Sequence, residues 1–283
     1  MPVREQGERP DPAAVRRSVA QSFVAARQAA RALPDYPGPL PETLADAYAR
    51  QDAAIALWPD EVAGWKVGRV PDIWAVRLGE SRLLGPVFRR HLWHTRENAI
   101  TPLPVIPDGF AAVEAEYVFV LADAVPAERR DWTPAQAAHV VAELRVGVEL
   151  AGSPLATINE LGPAVVVSDF GNNTGLLIGP PIADWGSRPL ASLTCEMQVG
   201  GRTVGRGGAA SVPGGPLAAL AFALDCCARR GRPLRAGDVI STGASTGIHP
   251  VRSGDEVRAV FADTAELRGC AVRATPATPG RGP

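Results

Sequence analysis

A single lysine stands out among the residues that could do chemistry. The sequence has 29 basic residues, and all of them except Lys66 are arginine. Lys66 lies in the run Gly64 to Gly68, which reads Gly-Trp-Lys-Val-Gly and predicts a short apolar strand. A desolvated lysine can lose its proton near neutral pH, whereas arginine keeps its charge. We therefore predict that Lys66 is a proton donor, acceptor or nucleophile; the alternative is an ordinary lysine at a strand edge.

Two glutamates share one face of a predicted strand. Glu114 and Glu116 lie in the apolar run Ala112 to Leu121, and side chains two residues apart on a strand point to the same side. Val118 and Val120 continue that face, so we expect the pair to be buried. Two carboxylates in a dry site must take up a proton or share a cation, and Mg²⁺ or Mn²⁺ suits their oxygens best. The alternative is a Glu-x-Glu pair that faces solvent.

A third glutamate lies in the next apolar run, Arg145 to Gly152. Glu149 is flanked on its own face by Gly147 and Ala151, and these small residues leave space for an ion or a ligand. The alternative is a surface glutamate, which is where most lone glutamates lie.

The elements that must position these residues divide the chain into three parts. Hydrophobic spacing and proline signals predict helices over 13–33 and 42–57, within a helical N-terminal region of residues 1–60. Residues 61–273 are predicted to form a β-rich catalytic domain, because short apolar runs there are separated by glycine and proline. Residues 274–283, rich in Pro, Thr and Gly, predict a disordered tail.

Within the β-rich part, strands and helices do not alternate. Strands are expected at Val62–Val67, Ala112–Leu121, Arg145–Ala151, Thr174–Ile178, Leu193–Val199, Val239–Ser241, Glu256–Phe261 and Leu267–Val272. Helices are expected only over 134–144 and 216–230, and Gly200-Gly201 predicts a two-residue hairpin turn. This order favours an α+β fold with mixed, largely antiparallel sheets over a doubly wound sheet.

The composition argues against several classes of protein. At 29.7 kDa, with 46% hydrophobic residues and a net charge of −1, the chain lacks the basic excess of a nucleic-acid-binding protein. No apolar run approaches the length of a membrane span, and the charged residues 1–12 do not resemble a signal peptide, so we expect a cytoplasmic protein. The four cysteines have no Cys-x-x-Cys spacing and are predicted to be reduced core residues.

Five motifs follow one another in a characteristic order: Gly64–Gly68, Glu114-x-Glu116, Glu149, Val167–Gly179 and Ser241–Asp255. Together they resemble the fumarylacetoacetate hydrolase superfamily, in particular its 2-keto-4-pentenoate hydratase and 4-oxalocrotonate decarboxylase branch. The resemblance implies a mixed β-sandwich roll with a helical N-terminal part. It also implies that the three glutamates bind Mg²⁺ or Mn²⁺ and that Lys66 transfers protons.

Two segments depart from the hydratase pattern. Residues 78–85 read Leu-Gly-Glu-Ser-Arg-Leu-Leu-Gly, where the hydratases carry Pro-Asp-aromatic-Gly after Leu-Gly, so an aspartate is missing. Residues 169–172 read Asp-Phe-Gly-Asn in place of Asp-Asn-Ala-Ser, so an asparagine replaces a serine. The decarboxylases tend to carry an apolar residue where the aspartate is missing, which favours that alternative.

The residues and the resemblance together predict a metal-dependent hydratase of aromatic-compound catabolism, which adds water to a 2-hydroxy-2,4-dienoate to give a 4-hydroxy-2-oxo acid. Asp169 and Asn172 would position the water, and the loop with Thr242, Ser245 and Thr246 would bind the substrate carboxylate. The alternatives are a decarboxylase of the 4-oxalocrotonate type, a C–C hydrolase with the same metal chelate, and a catalytically silent partner subunit. The expected partners are a small-molecule 2-oxo acid and further copies in a homo-oligomer, with a partner pathway enzyme as the alternative; neither nucleic acid nor membrane is expected.

Overall fold

The computed structural model describes residues 11–96 and 99–277. Its helices are α1 (Pro12–Gln28), α2 (Leu44–Leu57), α3 (Asp72–Leu78), α4 (Pro134–Ala138), α5 (Pro163–Ser168) and α6 (Pro216–Arg229). The predicted helix over 13–33 ends five residues early, because Ala30 adopts a left-handed conformation (φ 47°) that an α-helix cannot contain. α2 lies where it was predicted. Its N-cap is Thr43, whose side chain accepts a hydrogen bond from the Asp46 amide.

The strands form two sheets. They are β1 (Val62–Arg69), β2 (Arg82–Phe88), β3 (Leu92–His94), β4 (Thr101–Val105), β5 (Phe110–Leu121), β6 (Val141–Ser153), β7 (Asn173–Pro181), β8 (Thr194–Val199), β9 (Arg202–Gly208), β10 (Val239–Ser241), β11 (His249–Pro250), β12 (Glu256–Phe261) and β13 (Ala265–Arg273). One sheet has the order β2-β1-β10-β5-β6-β7-β3, with β11 on β5, and the other has the order β4-β13-β12-β8-β9. Most neighbours are antiparallel, but β1 and β10, β3 and β7, and β4 and β13 run parallel. The predicted α+β fold with mixed sheets and N-terminal helices is confirmed.

The helix predicted over 134–144 is wrong beyond its first turn. α4 ends at Ala138, and β6 begins at Val141. Leu144 and Val146 are buried, whereas Glu143 and Arg145 are partly exposed, which is the period of a strand. The β-branched residues that follow α4 favour the extended chain over a continued helix.

The hydrophobic core lies where the two sheets face each other. Tyr117 of β5 meets Phe261 of β12 edge to face, with ring centroids 5.7 Å apart, and Met197 and Leu267 are fully buried beside them. A second cluster joins the N-terminal helices to α5, with Phe23 at its centre. The helices thereby cover the segment that follows α5, which carries part of the candidate site.

Several smaller predictions are also tested. Gly200 (φ 56°) and Gly201 (φ 72°) form the tight turn between β8 and β9, as predicted for this dipeptide. The four cysteines are free thiols, and Cys270 alone among them is not fully buried.

The predicted tail begins with residues that are tied to the body: the Ala277 amide donates to the carbonyl oxygen of Gln28. Residues 278–283 of that tail, like residues 1–10 of the predicted N-terminal region, lie outside the described residues. The division of the chain into three parts stays a prediction. Across 11–96 and 99–277, no helix combines the length and the apolar character needed to cross a membrane.

Candidate active site

Four adjacent strands bring the predicted glutamates and the lysine together. Glu114 and Glu149 are direct partners in the antiparallel register of β5 and β6, so their side chains point to the same face. Glu116 follows on that face of β5 and is opposite Gly147, which has no side chain to fill the space. Lys66 of β1 pairs with β10, which in turn pairs with β5.

Close packing of β1 against β10 explains the glycine two residues before Lys66. A Cβ atom on Gly64 would lie 2.0 Å from the carbonyl oxygen of Val239, so only glycine lets β1 approach β10 this closely.

The three glutamates form one buried cluster of acids. Each offers a carboxylate oxygen, and these oxygens lie within 4.8 Å of one another. Glu116 and Glu149 are fully buried, and Glu114 is 5% exposed. Burial and the charge of Glu149 raise the pKa of Glu114 to about 8, and the same two causes raise the pKa of Glu116 well above its usual value. The cluster therefore holds more negative charge than its surroundings neutralise.

Polar neighbours orient two of these carboxylates. The Ser241 hydroxyl and the Gly243 amide both donate to Oε2 of Glu116, the amide at 3.0 Å. The Asn173 side chain donates to Oε1 of Glu149 at 2.9 Å. The remaining oxygens, Oε1 of Glu116 and Oε2 of Glu149, have no hydrogen-bond partner. Buried polar atoms are nearly always partnered in folded proteins, so these two oxygens indicate a missing ligand.

Lys66 lies beside the acid cluster. Its Nζ donates to Oδ1 of Asn172 at 2.9 Å and lies 3.5 Å from Oε1 of Glu149. Burial alone would lower the pKa of Lys66, but the charges of Glu149, Glu114 and Glu116 together raise it. Without a bound cation, the three carboxylates thus outweigh the effect of the apolar strand on the pKa of Lys66. A divalent cation among the three carboxylates would offset their attraction for the ammonium proton.

Asn172 is held in a tight turn between α5 and β7. Phe170, Gly171 and Asn172 all have positive φ angles of 54° to 63°, a conformation that L-residues seldom adopt and that is common at functional sites. The turn presses against β2: a Cβ atom on Gly85 would lie 2.2 Å from the carbonyl oxygen of Phe170. The Asn172 amide nitrogen donates to Asn159 at 3.2 Å, which fixes its Oδ1 toward Lys66.

Asp169 lies apart from the lysine and the glutamates. Its two carboxylate oxygens accept from Arg27 of α1 at 2.6 and 2.9 Å, and the Ser153 hydroxyl donates to Oδ2 at 2.6 Å. Arg27 also donates to the carbonyl oxygens of Gly152 at 2.8 Å and Asn173 at 3.1 Å. Asp169 is fully buried and does not line the cavity. It can therefore affect the site only indirectly, by anchoring the turn that carries Asn172.

The predicted carboxylate-binding loop borders the same cavity. Thr242 lines the cavity together with Gly243 and Ala244, and both its hydroxyl and its amide donate to the carbonyl oxygen of Tyr117, the hydroxyl at 2.8 Å. Ser245 is buried with an unpartnered hydroxyl, and its amide donates to Ala115. Thr246 lies 3.1 Å from Nε2 of His249 and turns away from the cavity.

A cavity of about 600 Å³ opens above Lys66, Glu114 and Asn172. Sequence reasoning missed part of its wall, including the four side chains Arg69, Trp74, Arg82 and Asn159. It also missed Arg27, Asn173 and Ser241, which hold the site residues in place. Arg27 contacts Asp169 across 142 residues, Asn173 contacts Glu149 across 24 and Ser241 contacts Glu116 across 125, so no local pattern predicts these contacts.

The acid cluster fits a hard divalent cation. Three carboxylates can supply oxygen ligands, and two of their buried oxygens lack any partner. The raised pKa values reflect burial first and mutual repulsion second, and a cation would offset both.

A family model described as fumarylacetoacetate (FAA) hydrolase C-terminal matches residues 91–272. Among curated proteins, 2-keto-4-pentenoate hydratase 1 of Dechloromonas aromatica (strain RCB) is 30% identical over 143 residues, which are 50% of this chain and 53% of that protein. The 4-oxalocrotonate decarboxylase of Pseudomonas sp. (strain CF600) is 33% identical over 92 residues, which are 32% of this chain and 35% of that protein. The matches thus span about half and about a third of these relatives.

The solved structures include a similar fold. A 4-oxalocrotonate decarboxylase from Pseudomonas putida G7, complexed with calcium and acetate, has a TM-score of 0.74 at 20% identity and covers 94% of this chain and 100% of its own. Another structure of that enzyme is complexed with magnesium and adipate. At this identity the likeness establishes the fold alone.

Proposed function

This chain belongs to the fumarylacetoacetate hydrolase family, and we propose that it is a metal-dependent hydratase that adds water to a 2-hydroxy-2,4-dienoate. The observation that carries the proposal is the buried cluster of three glutamates, in which two oxygens have no partner. Nζ of Lys66 lies 3.5 Å from Oε1 of Glu149 in this cluster. The cluster and the lysine lie at the edge of a cavity large enough for a small organic acid.

Glu114, Glu116 and Glu149 would hold Mg²⁺ or Mn²⁺. When bound, the ion supplies Lewis-acid stabilisation of negative charge on a 2-oxo acid head group. Ser241 and Asn173 fix the orientation of two of the three carboxylates before any ion arrives. Such preorganisation lowers the cost of binding, since the ligands do not have to be ordered at that moment.

Lys66 would move the proton that interconverts the dienol and its 2-oxo tautomer. Its ammonium is held by Asn172 at 2.9 Å, so the proton that it donates has a fixed direction. With the carboxylate charges neutralised, burial would lower the pKa of Lys66 and make the proton easier to transfer.

Water addition needs a group that orients the water molecule. Asn172 lines the cavity and has an amide that can do so, whereas Asp169 would act indirectly by anchoring the turn through Arg27. The amide of Ala244, in the part of the loop that lines the cavity, would bind the substrate carboxylate, because the amides of Thr242 and Gly243 already donate to Tyr117 and Glu116. Thr242, Ser245 and Thr246 would shape the loop around it.

Decarboxylation of a 2-oxo acid of the 4-oxalocrotonate type is the second candidate. Leu83 lines the cavity in the segment where the hydratases carry an aspartate, so the hydratase acid has no counterpart there. A C–C hydrolase would use the same chelate, and a silent partner subunit would keep the metal without turnover.

Incubation with Mg²⁺ and freshly prepared 2-hydroxypenta-2,4-dienoate tests the proposal. We expect the diene absorbance to fall as 4-hydroxy-2-oxopentanoate forms, and Lys66→Arg to abolish this turnover, because a guanidinium keeps its proton. Release of CO₂ from 2-oxohex-3-enedioate without hydration would support the decarboxylase instead. Metal binding with no turnover of any 2-oxo acid would support the silent subunit.

We also propose that the chain forms a homo-oligomer, with a partner enzyme of the same pathway as the alternative. Light scattering coupled to gel filtration measures the mass of the assembly and tests the first proposal directly.

A further inference from the structure

A chain of hydrogen bonds runs from Lys66 to the mouth of the cavity. Nζ of Lys66 donates to Oδ1 of Asn172 at 2.9 Å, and Nδ2 of Asn172 donates to Oδ1 of Asn159 at 3.2 Å. All three residues line the cavity; Lys66 and Asn172 are buried, whereas Asn159 is exposed. The chain therefore leads from the buried amine to a side chain that a ligand can reach.

The amine at the inner end fixes the direction of the whole chain. A lysine ammonium has only donors, so Asn172 must turn its oxygen toward Lys66 and its NH₂ group toward Asn159. Asn159 must then turn its own oxygen toward Asn172. The NH₂ group of Asn159 donates to no other residue within 11–96 and 99–277. Asn159 thus presents free hydrogen-bond donors to the cavity.

The segment that carries Asn159 is held by the core. Leu155 and Ile158 are buried in the cluster that joins the N-terminal helices to α5. The carbonyl oxygen of Asn159 accepts from the Gly162 amide at 3.3 Å, immediately before α5 begins. The donors at the cavity mouth are therefore preorganised, which lowers the entropic cost of binding a ligand there.

The chemistry around Asn159 favours an uncharged oxygen as its ligand. The next lining residues along the chain are Pro163 and Val166, which are apolar, and Asn159 itself carries no charge. A carboxylate would be bound more strongly by a cation than by a neutral amide. Because an NH₂ group only donates, the ligand atom must be an acceptor, such as a hydroxyl or ether oxygen.

We propose that Asn159 is a substrate-binding residue that donates to an uncharged oxygen beyond the 2-oxo acid head group. The inference rests on the proposed function, which places that head group at the glutamates, next to Lys66. In the proposed hydration, the oxygen that Asn159 holds is the one that water addition places on the fourth carbon. Asn159 thereby favours ligands with oxygen at this position over ligands with carbon there.

Two matched ligands test this assignment by calorimetry in the presence of Mg²⁺. 4-Methoxy-2-oxobutanoate and 2-oxohexanoate share a head group and a chain length, and an ether oxygen in the first replaces a CH₂ group in the second. The ratio of their dissociation constants measures the preference for the ether. This preference should fall by about two- to tenfold in Asn159→Leu, since one hydrogen bond contributes about 0.5–1.5 kcal/mol. Comparing the ratio between variants cancels the difference in hydration between the ligands.

A second variant separates ligand binding from a structural role. Asn159→Asp keeps an oxygen that accepts from Asn172 but offers the ligand only acceptors, so its preference for the ether should fall below that of Asn159→Leu. If Asn159 only positioned Asn172, Asn159→Asp would keep the wild-type preference. Glu160→Gln changes an exposed neighbour that does not line the cavity and should behave as wild type. Circular dichroism melting checks that each variant is folded.

The outcomes separate this inference from the proposed function. Oxalate occupies the head-group site alone, so its Mg²⁺-dependent binding tests the proposed function. If Asn159→Leu or Asn159→Asp keeps the wild-type preference for the ether, the assignment of Asn159 is wrong, whether or not oxalate binds. If oxalate does not bind but the preference depends on Asn159, the metal site is wrong and Asn159 stands. If none of the three ligands binds, both proposals are contradicted.

Discussion

Two buried charged clusters lie a few residues apart in this molecule and differ in how their charges are balanced. At the anchor cluster of Arg27, Asp169 and Ser153, the carboxylate oxygens have donors and the arginine reaches two carbonyl oxygens as well. At the acid cluster of Glu114, Glu116 and Glu149, three carboxylates share one lysine and two oxygens have no partner.

The two clusters differ in whether their charges are balanced within the protein or would need a ligand to balance them. Burying a carboxylate is expensive unless it is paired and hydrogen bonded, and the anchor cluster meets both conditions without any ligand. The acid cluster does not meet them, so it lowers the stability of the chain by itself. This imbalance is the pattern expected of a site that binds a cation.

The largest expected effect comes from breaking the anchor cluster. Arg27→Met leaves Asp169 buried without its cation, and removal of one partner from a buried pair costs about 3–5 kcal/mol. The free energy of unfolding in urea should fall by about this amount. Adding Asp169→Asn should recover part of the loss, because no uncompensated charge remains. Arg258→Met, which breaks an exposed pair with Glu266, should shift the unfolding midpoint far less. If Arg27→Met and Arg258→Met shifted the unfolding midpoint equally, the anchor cluster would not be a special source of stability.

A substitution in the acid cluster, unlike one in the anchor cluster, should not lower the stability of the metal-free protein. Glu114→Gln replaces a buried acid whose ionisation is opposed by burial and by the charge of Glu149, so the stability of the metal-free protein should stay the same or rise. Mg²⁺ at about a hundred times its dissociation constant should stabilise the wild type by about 2.7 kcal/mol. This increment should be absent from Glu114→Gln. Thermal melting with EDTA and with Mg²⁺ measures both effects, and a metal-free Glu114→Gln that melts far below wild type would count against the account.

The pH dependence of stability should depend on the metal. The pKa of Glu114 is raised from 4.5 to about 8 in the folded chain, so the folded state binds this proton more tightly than the unfolded state does. The resulting stability is fully present below pH 4.5 and is lost as the pH rises through about 8. Urea titrations in EDTA should show this decline, and Mg²⁺ should remove it. A decline that is identical in Glu114→Gln would assign the effect to other groups.

The smallest effect is expected where the two clusters meet, at the turn that Asp169 anchors. Asn172→Gly keeps the left-handed backbone (φ 54°) and removes the acceptor of Lys66. One hydrogen bond contributes about 0.5–1.5 kcal/mol, so turnover should fall by about two- to tenfold with a similarly small change in stability. Asn172→Ser, which restores the residue of the hydratase pattern, is the matched variant. Unchanged turnover in Asn172→Gly would remove this residue from the mechanism.

The sequence predicted the acid cluster better than the anchor cluster, for a physical reason. Glu114 and Glu116 reveal their shared face through the period of a strand. Glu149 was identified by its small neighbours and by the resemblance to the hydratases, because a lone glutamate has no such pattern. Arg27 contacts Asp169 across 142 residues, and nothing in its own helix indicates that partner. Arg82 in the cavity wall is likewise opposite Arg69 in the sheet and donates to Pro213, and neither contact can be read from the sequence around it.

The most direct test of the account is anomalous diffraction from crystals soaked with Mn²⁺ and oxalate. We predict one manganese peak among the carboxylates of Glu114, Glu116 and Glu149, with oxalate bound on the side that faces Lys66. The peak should vanish in crystals of the Glu114→Gln, Glu116→Gln double variant. A wild-type crystal that shows no manganese between these carboxylates, or shows it only at another site, would contradict the central claim that the acid cluster is a metal centre.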